Sequence, residues 1–211
     1  MRVIAIDGPA GAGKSTVARA LAARLGLAYL DTGAMYRAIT LAAMRRGIDP
    51  ADADQVAELA QEVSLEVGER GVFVDGVDST SEIRSHEVTT AVSAVAANSR
   101  VRAELVERQR KWARQRDGGV LEGRDIGSVV FPDAELKLYL TASPRVRAER
   151  RGAETGGDVD EIEASIAQRD RHDQSRSDGP LVEAAGSIVV DTTGLSIDQV
   201  LGQIKQLLER Q

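Results

Sequence analysis

Eight residues near the start, GPAGAGKS at positions 8 to 15, constrain this chain more than any other stretch. They match GxxxxGK[ST] at every fixed position, directly after the apolar run VIAID at 3 to 7 and before a helical pattern that begins at Lys14. Small residues let consecutive backbone N–H groups turn inward around phosphate oxygens. Lys14 is placed to reach terminal phosphates, the Ser15 hydroxyl to enter an Mg²⁺ shell, and the helix N-terminus to add partial positive charge. The competing reading is a glycine-rich turn before an ordinary surface lysine; the strand–loop–helix context weighs against it. The spacing also differs from the GxGxxG of dinucleotide loops. The expected ligand is ATP or another nucleoside triphosphate, held by Gly8, Pro9, Ala10, Gly11, Ala12, Gly13, Lys14, Ser15 and Thr16. Lys14 is expected to face solvent in that donor pocket.

The rest of the chain alternates as an α/β core does. After VIAID, a helix is read over 14 to 25, with Val17, Leu21 and Leu25 on one face. AYLD at 28 to 31 reads as a second strand, followed by a helix from about 34 to 46. Asp52 and Gln55 have capping-box spacing ahead of a helix over 54 to 63. VLEG at 120 to 123, LKLYL at 136 to 140 and SIVVD at 187 to 191 complete a set of five candidate parallel strands. Ser143-Pro144 opens a helix, since Ser caps and Pro needs no amide partner at the first position. Ser196 and Gln199 repeat the capping-box logic before the apolar face Ile197, Val200, Leu201, Ile204 and Leu208.

The middle departs from this pattern. Residues 64 to 79 read as two short strands around a turn at Gly68 to Gly71, with another turn at Asp75-Gly76. A mostly helical, increasingly basic stretch follows. Residues 64 to 112 are therefore read as a small α+β insert in a core made of 1 to 63 and 113 to 211. The polar stretch at 150 to 161 is either a short mobile flap or a helix break at Gly156-Gly157.

Composition removes several classes of function. The 211 residues contain no Cys and two His, which excludes disulfides, cysteine metal sites and a histidine-rich metal centre. A net charge of -6 gives no general attraction to nucleic acid, and 3% aromatic residues make a stacking surface for single strands an unpromising reading. No apolar run reaches a membrane span, and the N-terminus turns polar early for a signal peptide. A cytoplasmic monomer with small-molecule substrates, binding neither nucleic acid nor membrane, is the expectation.

A GTPase would carry an Asn-Lys-x-Asp element, which this sequence lacks. A small-molecule kinase needs a second anionic pocket with cations that span donor and acceptor, and Arg suits that task. Candidates are Arg37, Arg100 and Arg102, Arg124, the arginines between 145 and 151, and those between 169 and 176. Arg124 stands out because EGRD follows an apolar strand end, where α/β folds place ligands.

GPAGAGKST, LDTGAMYRA, LEGRDIGSVVFPDA and RDRHDQSRSDGPL together resemble the bacterial cytidylate kinases, over nearly the whole chain. The resemblance implies an α/β fold: a P-loop core with a parallel five-stranded sheet flanked by helices, a small α+β nucleoside-monophosphate-binding insert, and a short lid near 150 to 161. It implies phosphoryl transfer from ATP to CMP or dCMP with Mg²⁺. By the same resemblance, Thr32, Tyr36 and Arg37 hold the acceptor nucleotide, and Ser93 and Arg102 read cytosine, with Asp125 accepting from its amino group. Arg124, Arg169 and Arg176 gather around the acceptor phosphate, and Asp173 binds its sugar.

Several roles stay open at this level. Asp31 either joins the metal's water shell or caps the turn before Thr32, and Glu122 either organises Arg124 or approaches the metal through water. Tyr36 is also compatible with a core aromatic, Ser93 with a locally satisfied hydroxyl, and Asp125 with a residue that orients Arg124. Relatives carry Arg immediately before the sugar-binding Asp; here His172 stands there, and Arg171 is expected to supply the charge instead. Ser93 and Arg102 are nine positions apart, so they converge only if the helix breaks, for which Ala97-Asn98-Ser99 is the expected place. A kinase for another small metabolite, or a noncatalytic nucleotide-binding protein, would retain the phosphate loop alone.

Overall fold

The computed structural model describes residues 1 to 68 and 70 to 208; Glu69, in the expected turn, and the side chain of Leu208 lie outside what is described. The chain forms two compact units. The first comprises Met1–Tyr29 and Arg116–Gln211, the second Leu30–Gln115.

A five-stranded sheet runs in the order β2-β6-β1-β7-β8. Its strands are β1 (Arg2–Asp7), β2 (Tyr29–Asp31), β6 (Gly118–Glu122), β7 (Leu136–Thr141) and β8 (Ile188–Asp191). β2 marks the point at which the chain passes into the second unit. β1 runs parallel to both β6 and β7, and β7 parallel to β8. Every residue of β6 is buried, as expected of a parallel strand covered on both faces. Helix α1 (Lys14–Leu25) lays Val17, Leu21 and Ala22 on Ile4, Ile6, Leu138 and Leu140, and α8 (Ile197–Leu208) adds Val200, Leu201 and Ile204. Ser196 and Gln199 cap α8 reciprocally: Gln199 N donates to Ser196 Oγ, and Ser196 N to Gln199 Oε1.

Helix α6 (Pro144–Thr155) opens with the Ser143 cap and Pro144 in its first turn. It ends at Gly156, whose φ of 71° lies in the left-handed region, and α7 (Val159–Gln174) restarts with Asp158 accepting from Asp160 N and Glu161 N. The stretch at 150 to 161 thus contains a helix break.

The second unit contains α2 (Thr32–Arg45), α3 (Ala53–Glu62), α4 (His86–Ala97) and α5 (Ser99–Arg114) with a small antiparallel sheet. That sheet has three strands, β3 (Leu65–Gly68), β4 (Gly71–Val74) and β5 (Val77–Asp78), one more than the sequence pattern suggested. Ile39, Leu59, Ile83, Val95 and Leu105 are fully buried in this unit. At α3 the capping box is incomplete. Asp52 caps Gln55 N, but the Gln55 amide donates to the Asp52 carboxylate, because the Asp52 N–H is already given to Asp49 O at 2.8 Å. The break between Ser93 and Arg102 falls at Asn98, whose side chain accepts from Arg100 N and Val101 N and starts α5 afresh.

Candidate active site

In the first unit the phosphate loop leaves β1 at Gly8, where an added Cβ would lie 2.0 Å from Leu140 O, so only glycine lets the loop pass this close to β7. Lys14 follows at the start of α1. It is not solvent-facing as its sequence position suggested: it is 7% exposed, with Nζ donating to Pro9 O of its own loop at 2.7 Å. Burial, joined by the positive charge of Arg124 and opposed by Glu122, draws its amine down from 10.5 to about 7.

Ser15 Oγ donates to Glu122 Oε2 at 3.0 Å, and the same carboxylate accepts from the Tyr29 hydroxyl. A hydroxyl and a carboxylate thus stand together beside the loop, both hard oxygen donors. No cluster of three or more metal-ligating side chains occurs among the described residues. This set fits Mg²⁺, which keeps several waters and is held by one or two protein oxygens plus phosphates.

The sequence pattern counted Arg147 and Arg150 among its candidate cations but gave no role to Asp170 or Thr192, and together these four hold the loop from behind. Ala10 N donates to Asp170 Oδ1, Arg147 Nη1 donates to Ala10 O, and Arg147 and Asp170 pair with each other. Thr192 Oγ1 lies within hydrogen-bonding reach of both Ala12 O and Thr141 O, while Arg150 donates to Thr192 O at 2.8 Å. The only sequence signal for the latter was the Thr-Thr-Gly turn after β8.

Beside the EGRD element stands a second residue to which the sequence pattern gave no role. Asp7, the last residue of β1, accepts from Ile126 N and Gly127 N at 2.8 Å each. The chain there opens into one wide π-type turn, Ile126–Val130, in which Phe131 N reaches back to Ile126 O. Burial outweighs those two amide bonds and lifts the Asp7 carboxyl from 3.8 to about 6.

Three expected residues meet at one carboxylate. Arg124 Nε donates to Asp173 Oδ2 at 2.8 Å, and Arg176 pairs with Asp173 Oδ1. Asp173 is 1% exposed; burial alone would raise its pKa, but Arg124, Arg176 and Arg169 prevail and hold it below the ordinary carboxylate value. Arg169 is drawn down to about 10 by burial and by Arg124, and its buried Nε has no hydrogen-bond partner among the described residues. Arg171 and His172 are exposed, on a helix whose buried positions here are Asp170 and Asp173.

In the second unit, Asp31 caps α2 by accepting from Ala34 N and pairs with Arg84 through its other oxygen. That cap starts α2 at Thr32, two residues before the sequence estimate, and buries the Thr32 side chain. Arg37 donates to Thr89 Oγ1 at 2.8 Å. Arg102 is buried, its guanidinium 5.8 Å from the centre of the Tyr36 ring, with Nη1 turned back toward Ala96 O at the end of α4. Ser93, half-buried, lies one turn earlier on α4.

Known proteins with this architecture are sugar and metabolite kinases among others. A gluconokinase from Sinorhizobium meliloti superposes with a TM-score of 0.54 at 14% identity over 99% of this chain and 92% of its own. A shikimate kinase from Acinetobacter baumannii gives 0.53 at 15% identity over 100% and 94%. At these identities the likeness is one of fold. Sequence relatives are far more similar. A cytidylate kinase of Mycobacterium leprae is 47% identical over 99% of this chain and 96% of its own length. One of Limosilactobacillus fermentum is 47% identical over 98% and 95%. A bifunctional pantoate ligase/cytidylate kinase of a Synechococcus strain is 52% identical, the chain spanning 41% of that longer protein. The family model described as cytidylate kinase matches residues 4–210, and the chain belongs to that family.

Proposed function

We propose residue roles by which this chain performs phosphoryl transfer from ATP to CMP or dCMP, giving ADP and CDP or dCDP. The observation that carries them is the cluster of Arg124, Asp173 and Arg176 in the same unit as the phosphate loop. Gly8 through Thr16 hold the ATP phosphates, with Lys14 leaving Pro9 O for the triphosphate. Ser15 would hold Mg²⁺, with Glu122 or Asp31 as a water-mediated partner. When bound, the ion neutralises charge on the donor phosphates.

Arg124, Arg169 and Arg176 bring the acceptor phosphate into line and compensate charge during transfer, while Arg171 supplies charge from the exposed side of α7. Asp173 accepts from the acceptor sugar, and Asp125 from the cytosine amino group. In the second unit, Arg37 contacts the acceptor phosphate and Tyr36 packs near the nucleotide beside Thr32. Ser93 and Arg102 donate to the cytosine carbonyl and ring nitrogen. No general base is required, because a phosphate monoester oxygen is already ionised near neutral pH. The insert at 64 to 112 and the short lid near 150 to 161 belong to the same reading. So does a monomer in the cytoplasm, supported by the cysteine-free sequence; no described helix is long and apolar enough to cross a membrane.

Acceptor-dependent ADP release against CMP, dCMP, UMP, AMP, GMP and shikimate tests the assignment. CMP and dCMP should dominate. ADP release led by shikimate or a purine monophosphate would reject the acceptor roles, and ATP binding without any transfer would reject the catalytic ones.

A further inference from the structure

The loop that receives the donor phosphates is built almost wholly of small residues, so it has few side chains with which to hold its own shape. Part of what fixes it comes from helices α6 and α7. Ala10 gives its N–H to Asp170 Oδ1 at 3.2 Å and receives Arg147 Nη1 on its carbonyl at 3.0 Å, so one ion pair engages both backbone groups of one loop residue. Both side chains are nearly enclosed, Arg147 at 8% and Asp170 at 7% exposure. The α6 backbone also presses on the next residue: a Cβ at Gly11 would lie 2.8 Å from Arg147 O.

We propose that Arg147 and Asp170 are a positioning pair that presets the phosphate loop for the donor. A flexible loop must surrender conformational freedom when it closes on a triphosphate, and a loop already ordered avoids that cost. The pair orders the loop without touching the ligand, because its bonds end on Ala10. The amide of Ala10 is committed to a carboxylate, so this residue serves the loop's shape while the rest of the Gly8 to Thr16 loop meets the phosphates. Asp170 also lies one turn before Asp173 on α7, so the helix that sets the loop carries an acceptor-side residue as well.

The inference rests on the proposed kinase reading, and the test separates the two. Asp170→Asn keeps the shape and one acceptor while removing the charge; Arg147→Met removes both donor and charge, and Arg147→Lys restores one donor. In Asp170→Asn and Arg147→Met, the Kd and KM for ATP should rise about tenfold or more while the KM for CMP stays within about twofold. Arg147→Lys should recover part of the ATP affinity. If the KM values for ATP and CMP rise by a common factor, or neither moves in folded variants, the positioning role is wrong. Should the variants not fold, hydrogen exchange of the wild-type Ala10 amide decides: protection without nucleotide supports the pair, and free exchange overturns it. Wild-type protein that binds ATP but leaves CMP untouched would sink the acceptor assignment and leave this measurement intact.

Discussion

Arg124 donates its Nε to Asp173 Oδ2 at 2.8 Å, linking the end of β6 to helix α7 with a carboxylate that is 1% exposed. Two guanidinium groups share that carboxylate, since Arg176 takes its other oxygen. Removing one partner of a buried pair costs more than the pair itself contributes, because the remaining charge stays buried. Asp173→Ala should therefore destabilise the protein by about 3–5 kcal/mol, read from denaturant midpoints. Its folded pKa lies below the ordinary 3.8, so this stabilisation is complete above that value and fades as pH falls through the lower folded one. A loss within the range of a surface substitution would mean that solvent screens the cluster.

Lys14 should show a conflict between stability and function. Its amine is drawn down from 10.5 to about 7, so between those values the folded chain binds fewer protons than the unfolded one. The contribution of this group to stability therefore rises with pH across that window. Lys14→Met, which keeps the volume and drops the charge, should raise the denaturant midpoint at pH 7. It should also flatten the pH slope and abolish most turnover. Near-wild-type phosphoryl transfer in the folded variant would reject the donor role. A lowered midpoint would reject the burial cost.

Asp7 acts in the opposite direction. Its carboxyl is lifted to about 6 by burial, so the folded state binds more protons than the unfolded one between about pH 4 and 6. The stability this group supplies is full below its ordinary value and is lost as pH rises through the folded one. Asp7→Asn should remove that downward slope. It should also loosen the turn that follows Arg124 and Asp125, because one amide oxygen replaces two carboxylate oxygens for two N–H donors. Stability profiles of the two proteins from pH 4 to 7 that run parallel would contradict this.

Arg102 is the residue on which acceptor selectivity should turn. Its guanidinium is buried beside Tyr36, so a base group facing it in its absence would be left unsatisfied at about 1–3 kcal/mol. Arg102→Ala should reduce kcat/KM for CMP roughly tenfold or more, toward the level for UMP, with ATP binding little changed. Ser93→Ala should do so more mildly. If CMP and UMP decline by one common factor, Arg102 serves the phosphate or the stability of its unit instead.

What the sequence determined by itself was local. The strand, the phosphate loop and α1 follow one another within 25 residues. The caps at Ser143 and at Ser196 with Gln199 span three positions each, and the break at Asn98 needs only its own side chain and the next amides. Such features are set by interactions between near neighbours, which a pattern of residues records directly. The tertiary structure alone decided what lies behind the loop and around the arginines. Asp7 meets Ile126 and Gly127 across separations of 119 and 120 positions, Ser15 meets Glu122 across 107, and Ala10 meets Asp170 across 160. These pairs follow from β1 lying between β6 and β7, and from α7 returning to the loop. Strand order of that kind is fixed by the burial of whole faces, and single residues leave no local trace of it. The burial of Lys14 has the same origin, since Glu122, Arg124 and Arg169 bear on it from far along the chain, although its hydrogen bond stays within its own loop.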